Sequence, residues 1–148
     1  TNIRREYNLV IGSKTSEAIK KQLAYATEPD EGSGFVYGRD IVTGLPAELQ
    51  VSSDFIYDAI KEHIHSIIDT IRVILERTPP ELAADIIRDG IYLTGGSSNI
   101  RNIPELITKE TKLKVNTFDS PAESVARGLS RLIKEGQYRS LAYTNNGK

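Results

Sequence analysis

The sequence contains no cysteine, no methionine and no tryptophan, and only two histidines. Without cysteine the chain cannot form disulfides, thiolate zinc sites, iron–sulfur clusters or a cysteine nucleophile. Nor is there an excess of positive charge: 19 Lys+Arg against 20 Asp+Glu leave a formal net charge of −1, whereas domains that bind nucleic acid are usually basic. No apolar run approaches the roughly 18 residues that a membrane-spanning helix needs. We therefore expect neither thiol chemistry nor nucleic acid as a partner.

What is present is a globular composition, with 39% apolar and 26% charged residues over 148 positions. The chain opens on Thr1, and the helical spacing of Ile3, Tyr7 and Val10 predicts a first helix that has no capping residue ahead of it and ends at Gly12. We expect the chain to be a segment of a longer protein. Removal of an initiator methionine before Thr1 is the alternative.

The first part of the chain, residues 1–53, is predicted to be a small helix-plus-hairpin subdomain. Its helix has Ser13 or Thr15 as the N-cap candidate, and the segments FVYGRDI and ELQVS are strand-like with the turn TGLP between them. The predicted elements are a helix at 15–26, a turn-rich loop at 28–34 and a hairpin at 35–52 that turns at 43–46.

The second part, residues 54–134, is predicted to begin with a long helix at 54–77, capped by Ser52 or Ser53. Isoleucines recur along this helix every three or four residues, which predicts one continuous buried stripe. The members of the stripe are Ile56, Ile60, Ile64, Ile67, Ile71 and Ile74.

After the long helix, Thr78 as N-cap and Pro79 as first residue predict a further helix to about Arg88. Strand and helix then alternate, which is typical of a parallel βαβα layer. The predicted elements are strands at 90–94 and 114–118, a helix at 103–110, and a helix to residue 135 opened by a capping box from Ser120 to Glu123. Two strands are few for a doubly wound sheet, so the layer is predicted to be incomplete. Residues 135–148 are predicted to be a flexible tail.

The two histidines, His63 and His65, lie two positions apart on the predicted long helix. Side chains at this spacing are roughly 200° apart around the helix axis, so they cannot bind one metal ion. We interpret them as exposed or half-buried helix residues and expect no metal site. The sequence also lacks G-x-S-x-G, G-x-G-x-x-G and G-x-x-x-x-G-K-[ST]. A pair of catalytic carboxylates stays open, since Asp and Glu are numerous, but no such pair stands out and no catalytic residue is singled out.

One candidate binding feature is the turn Gly95-Gly96-Ser97-Ser98-Asn99, which directly follows a predicted strand. Paired glycines at the carboxyl end of a parallel strand let the backbone approach a ligand closely, in the crevice where open α/β sheets bind small molecules. The alternative is a plain strand-to-helix turn that needs positive φ.

The other candidate feature is a polar stripe on the helix at 15–26, opposite its predicted core face. The stripe consists of Glu17, Lys20, Lys21 and Ala24, and the core face of Ile19, Leu23 and Ala26. One carboxylate, two ammonium groups and a small residue suit a flat ligand with hydroxyls, such as a nucleoside. The alternative is an exposed ladder of Glu–Lys pairs.

Four segments make the sequence resemble a known family. REYNLVIGSKTSEAIK, GRDIVTGLP, LERTPPELAADII and GIYLTGG together closely resemble the MreB family of bacterial actin homologues, in order, over about residues 3–134. The likeness covers the C-terminal part of the family protein, mainly subdomain IIB and part of IIA. It implies an α/β fold of the actin-like ATPase (ribonuclease H-like) class, present as one incomplete lobe with a small inserted helix-plus-hairpin subdomain.

The resemblance also implies which residues surround a nucleotide. The family's T-A/S-E-x-x-K helix corresponds to Thr15, Ser16, Glu17 and Lys20, and its adenosine loop runs from Gly95, Gly96 and Ser97 through Asn99 to Ile100. By analogy with heat-shock chaperones, Lys21 stacks on adenine. Ser97 departs from the usual T-G-G-G of the family and is more similar to the chaperone loop.

The resemblance implies an ATP-dependent cytoskeletal protein, with ATP and Mg²⁺ as cofactors of the full-length molecule. Such a protein forms membrane-associated filaments by self-association and governs rod shape and wall synthesis. It is cytoplasmic, at the inner face of the cell membrane, and any contacts with the membrane or with wall-synthesis proteins would use regions outside this chain. Because the family's phosphate loops are absent, this chain should not hydrolyse ATP alone. The alternative is a non-polymerising, ATP-binding module of the heat-shock chaperone type, with a small-molecule kinase less favoured.

Overall fold

The computed structural model describes residues 2–141, whose buried residues form two apolar cores. We call residues 2–52 the small lobe and residues 53–141 the α/β lobe. The small lobe, residues 2–52, contains a three-stranded antiparallel sheet with strand order β1-β2-β3. Its elements are α1 (Asn2–Tyr7), β1 (Leu9–Val10), α2 (Ser13–Leu23), β2 (Ser33–Asp40) and β3 (Pro46–Ser52).

The first helix is shorter than predicted. Asn8 has a φ of 54°, a left-handed conformation that ends α1. Leu9 and Val10 then pair with β2 as strand β1. The prediction of one helix through Val10 was therefore wrong, because pairing with a distant strand overrode the local helical spacing.

Helix α2 begins and ends earlier than predicted. Gly12 occupies the N-cap position and no side chain caps the helix, so neither Ser13 nor Thr15 has the predicted role. The helix ends at Leu23, and Ala24 is already extended with φ −77° and ψ 132°. Ala24 and Tyr25 then lead to Ala26, which is buried in the core of the α/β lobe.

The predicted hairpin is confirmed, with β2 and β3 paired from Ser33↔Ser52 to Arg39↔Pro46. Alternate residues of β2 point inward, and Val36 and Val51 are fully buried beneath the sheet. The carboxylate of Asp40 accepts the backbone N–H groups of Val42 (2.7 Å) and Thr43 (2.9 Å), and these bonds shape the connecting loop at 41–45.

The α/β lobe, residues 53–141, follows the hairpin. Its elements are α3 (Ser53–Glu76), α4 (Pro80–Asp89), β4 (Ile91–Tyr92), α5 (Ile103–Thr111), β5 (Val115–Asn116) and α6 (Ser124–Lys134), with 3₁₀ turns at Gly96–Asn99, Pro121–Glu123 and Gly136–Leu141. Strands β4 and β5 are parallel, which confirms the predicted alternation of strand and helix. The remainder of the predicted tail, residues 142–148, lies outside the described residues, as does Thr1.

Ser52 caps α3, since its Oγ accepts the N–H of Phe55 at 3.2 Å. The predicted isoleucine stripe is right at Ile56, Ile60, Ile64 and Ile71, which are buried or packed against a core, and wrong at Ile67 and Ile74. Ile67 and Ile74 are 47% and 60% exposed, whereas Ile68 is buried. Helix α5 packs against the face that contains Ile68, and this tertiary contact selects a neighbouring position over Ile67.

Two predicted helix caps in this lobe are also wrong. Pro79 is the N-cap of α4 and Pro80 its first residue, while the Thr78 hydroxyl donates to the carbonyl of Ile74 at 2.8 Å. A 3₁₀ turn precedes α6 in place of the capping box, and Ser120 makes no capping bond. The Glu123 carboxylate instead accepts from Arg127 at 3.3 Å, one turn along α6.

Each lobe has its own apolar core. In the small lobe, α1, α2 and the start of α3 cover the sheet; in the α/β lobe, α3 and α5 pack together with β4 and β5. Ile60 and Ile100 contact both cores. Within residues 2–141, no helix combines the length and the apolar character needed to span a bilayer.

Candidate functional site

A cavity of about 600 Å³ lies between α2 of the small lobe and the segment that follows β4. We call residues 95–100 the glycine turn. The lining residues come from three separate parts of the chain: Glu17, Lys20, Lys21 and Ala24; Gly96, Ser97, Asn99 and Ile100; and Ala122.

One wall of the cavity is the polar face of α2. Lys21 Nζ lies 2.7 Å from Glu17 Oε1, one helical turn away, and this ion pair lowers the pKa of the Glu17 carboxyl below its ordinary 4.5. On the opposite face of the helix, Ile19 and Leu23 are buried in the small-lobe core, as predicted. The buried side chains thereby fix the rotation of α2 that presents the charged stripe to the cavity.

The glycine turn forms the facing wall. Gly95 has a φ of 91°, which L side chains rarely adopt, and its N–H donates to the carbonyl of Pro121 at 2.9 Å. The Ser98 hydroxyl donates back to the Gly95 carbonyl at 2.6 Å. A Cβ built on Gly96 would meet no atom within 4 Å, so the backbone there borders open space. One bond within the turn and one to Pro121 therefore hold the turn and leave Gly96 accessible.

The structure brings together most of the residues singled out in the sequence. Of the eight predicted binding residues, all except Gly95 line the cavity. Gly95 instead supplies the positive φ that the turn requires. This is the role expected from the alternative interpretation, a plain strand-to-helix turn. Whether the cavity binds a nucleotide remains a prediction at this point.

Ala122 is a lining residue that sequence reasoning missed. It follows β5, and the parallel pairing of β4 with β5 places the segments after both strands at the same sheet edge. The carbonyl of Pro121 accepts from both Thr94 Oγ1 (3.0 Å) and the Gly95 N–H (2.9 Å), which fixes this segment beside the glycine turn. The predicted order of strand, turn, helix and strand implies two parallel strands, and it could have indicated that the segment containing Ala122 lies beside the glycine turn.

Chemically, the cavity presents one carboxylate, two ammonium groups, hydroxyl and amide side chains and accessible backbone. These groups can bind a planar ligand with hydroxyls by hydrogen bonds and close backbone contact. Among residues 2–141, no cluster of three or more His, Asp or Glu side chains is arranged to hold a metal ion. His63 and His65 are exposed on α3, as interpreted from their spacing.

Solved structures share this architecture. The chain aligns with MreB5 of Spiroplasma citri bound to ADP at a TM-score of 0.83 and 36% identity, covering 98% of this chain and 43% of that chain. The same protein bound to AMPPNP aligns at 0.82 and 36%, covering 94% and 42%. The fold is therefore that of the actin-like ATPases, as predicted.

Comparison of the sequence with known proteins narrows this fold class to one family. The family model described as MreB/Mbl protein matches residues 1–140. The cell shape-determining protein Mbl of Bacillus subtilis is 39% identical over 133 residues, which is 88% of this chain and 40% of that relative. The cell shape-determining protein MreB of Escherichia coli K12 is 38% identical over 133 residues, or 89% and 38%. The chain belongs to the MreB/Mbl family and spans about two fifths of the length of these curated relatives.

Proposed function

We propose that this chain contributes the adenosine side of the ATP site in an actin-like cytoskeletal protein that determines cell shape. The observation that carries the proposal is the cavity between α2 and the glycine turn, where two independently predicted features face each other. Two further findings support it: the curated relatives are cell shape-determining proteins, and the similar MreB5 structures hold ADP and AMPPNP.

Within the cavity, Glu17 would accept hydrogen bonds from the ribose hydroxyls, which are donors that a carboxylate binds strongly. The stems of Lys20 and Lys21 would lie along the base. Gly96, with no atom near its missing Cβ, would let the backbone approach the nucleoside. Ser97, Asn99 and Ile100 complete that wall.

ATP with Mg²⁺ is the proposed cofactor of the whole protein. The loops that bind the phosphates in this family have no counterpart in the sequence, and among residues 2–141 no cluster of three or more His, Asp or Glu side chains is arranged to hold a metal ion. We therefore assign the phosphate loops and the Mg²⁺ site to the part of the protein outside this chain. The 148-residue chain alone should bind ATP only weakly, and micromolar binding in titration calorimetry would contradict this division.

The sharpest test of the nucleotide site is Glu17→Gln in the intact protein that contains this chain. Loss of a charged acceptor for the ribose should weaken ADP binding about tenfold or more. The matched control is Glu135→Gln, since Glu135 also pairs with a cation four residues away, Arg131 at 3.0 Å, but lies outside the cavity. Equal ADP affinities for the wild type and Glu17→Gln would refute the assignment.

Filament formation is the second part of the proposal. In the proposed filament, the small lobe forms one half of the contact between successive subunits. The filament lies near the inner face of the membrane. Pelleting of the intact protein with ATP separates this function from the chaperone-type alternative, which predicts no polymer. On polymerisation, amide exchange should slow in the loop at 28–32 and in β2 and β3. Polymers with unchanged exchange there would place the contact elsewhere.

A further inference from the structure

The two walls of the cavity are joined by a set of contacts that the binding roles above do not use. We call residues 25–27 and 101–102 the junction. The Ala26 N–H donates to the carbonyl of Arg101 at 2.8 Å, and Tyr25 and Arg101 pair as an isolated parallel bridge. These are the backbone contacts between the segment leaving α2 and the end of the glycine turn.

Side chains reinforce the backbone pairing from both sides. Arg101 Nη1 donates to the Tyr25 hydroxyl at 2.8 Å, and the guanidinium carbon lies 4.9 Å from the centre of the Tyr25 ring. Asn102 Nδ2 donates to Thr27 Oγ1 at 3.0 Å. Asn102 has a φ of 62°, a left-handed conformation that asparagine tolerates and that turns the chain into α5.

The junction lies where the chain passes between the two cores. Ala24 is buried in the small-lobe core, whereas Ala26, two residues later, is buried in the α/β core. Ala24 and Ile100 both line the cavity, and each directly precedes a junction residue. We therefore expect a change at the junction to affect the separation of the two walls.

We propose that Arg101 is a positioning residue for the nucleotide site, holding α2 and the glycine turn at the separation that the ligand requires. The inference rests on the proposed function. Arg101 is not among the residues that line the cavity, so it acts through Tyr25. The backbone bond, the Asn102–Thr27 bond and the apolar contacts of Ile60 and Ile100 with both cores also join the two walls. The guanidinium, bonded to the hydroxyl and lying over the ring, adds a contact that reduces the remaining movement of the walls before the ligand arrives.

The test compares ADP affinities of the intact protein with Arg101→Gln, with Tyr25→Phe and with both changes. Tyr25→Phe keeps the ring and removes only the hydroxyl. We expect Arg101→Gln to weaken ADP binding about threefold to tenfold and Tyr25→Phe about twofold to threefold, the range for loss of one such contact. The double variant should bind no more weakly than Arg101→Gln, because both changes remove the same contact.

Two further readouts separate positioning from a merely structural role. The unfolding midpoint without nucleotide should change by less than about 2 °C, since the contact is exposed. ADP should slow exchange of the Ala26 amide in the wild type and do so less in Arg101→Gln. The matched control is Arg131→Gln. Arg131 lies in α6, outside the cavity, and its guanidinium carbon is 5.8 Å from the centre of the Tyr138 ring. Its loss should leave ADP affinity unchanged.

The outcomes are distinct. Wild-type protein that fails to bind ADP overturns the proposed function and this inference together. Wild-type binding with unchanged affinity in Arg101→Gln overturns only the positioning role. A double variant much weaker than Arg101→Gln also overturns it, because Arg101 would then contact the ligand independently of Tyr25. If Arg101→Gln does not fold, Tyr25→Phe decides alone, and unchanged affinity there overturns the inference.

Discussion

Helices α2 and α6 are each 11 residues long and each carry an apolar stripe, yet they meet different surroundings. Helix α2 buries Ile19 and Leu23 against the sheet of the small lobe. Helix α6 has no buried residue, and its Val125 and Ile133 are 74% and 79% exposed. Amphipathic sequence creates an apolar face, but only a neighbouring element can cover it.

The two sheets can be compared in the same way, by the residues that each leaves exposed. The outer face of the hairpin is exposed at Phe35 and Tyr37, as is ordinary for an antiparallel sheet with one solvated face. In the α/β lobe, Tyr92 and Phe118 stack with ring centres 6.2 Å apart and are also exposed. A parallel sheet is normally covered on both faces, whereas among residues 2–141 these two rings are left open to solvent.

The largest effects should come from the two cores. Leu23→Ala in the small lobe and Ile107→Ala in the α/β lobe, both buried, should each lower the free energy of unfolding by about 2–5 kcal/mol. Ile133→Ala on the open face of α6 should change it by less than about 0.5 kcal/mol. Urea unfolding of the 148-residue chain measures all three. A cost at Ile133 equal to that at Ile107 would mean that α6 is covered in solution, and the comparison would fail.

Smaller effects are expected at two glycines, one in each lobe. A Cβ at Gly38 would overlap the carbonyl oxygen of Val10 and disturb the pairing of β1 with β2. At Gly90, which has a φ of 82°, it would overlap the carbonyl oxygen of Lys114 and strain the backbone as well. Each alanine variant should cost about 1–3 kcal/mol of unfolding free energy.

The control for these variants is Gly128→Ala in α6. No atom lies within 4 Å of the position that the new methyl group would take, so alanine should stabilise the helix by about 0.5–1 kcal/mol. Thermal unfolding of the same chain reports all three changes. A loss of stability at Gly128 would show that another element packs against α6.

The smallest effects concern two exposed ion pairs, one in each lobe. Lys21 lowers the pKa of Glu17 below 4.5, and Arg88 lowers the pKa of Asp89 below 3.8. Because the folded-state pKa values are depressed, any stabilisation is present above the unfolded-state values and is lost as pH falls through the folded ones. Carboxyl NMR titration of the chain should show each midpoint below its ordinary value.

Lys21→Gln should return the pKa of Glu17 towards 4.5 and leave that of Asp89 unchanged, while Arg88→Gln should do the reverse. Each variant thus serves as the control for the other. A Glu17 midpoint that does not move in Lys21→Gln would mean that the ion pair on the cavity wall does not persist in solution.

Much of the fold could be predicted because its signals are local. Two strand-like segments with a glycine and proline turn between them predicted the hairpin, and glycine with serine after a short strand predicted the turn at 95–99. The errors occurred where distant contacts compete with local pattern. Val10 follows a helical spacing but pairs with Arg39, and α5 makes Ile68 rather than Ile67 a buried residue.

The residues of the candidate site also divide into those that local pattern could predict and one that it could not. Glu17, Lys20 and Lys21 share a helix face by periodicity alone, so their grouping could be predicted without any tertiary contact. Ala122 could not be found in this way, because it reaches the cavity only through the parallel pairing of β4 with β5.

By itself, the sequence determined that these 148 residues contain no thiol, where most helices and strands lie, and which residue types each face presents. These properties depend on composition and on neighbours a few positions apart. The tertiary structure alone decided that α2 faces the glycine turn and that Arg101 contacts Tyr25, 76 positions away in the chain. Such contacts exist only after two separate cores have formed, because packing, and not local pattern, sets the distance between the walls of the cavity.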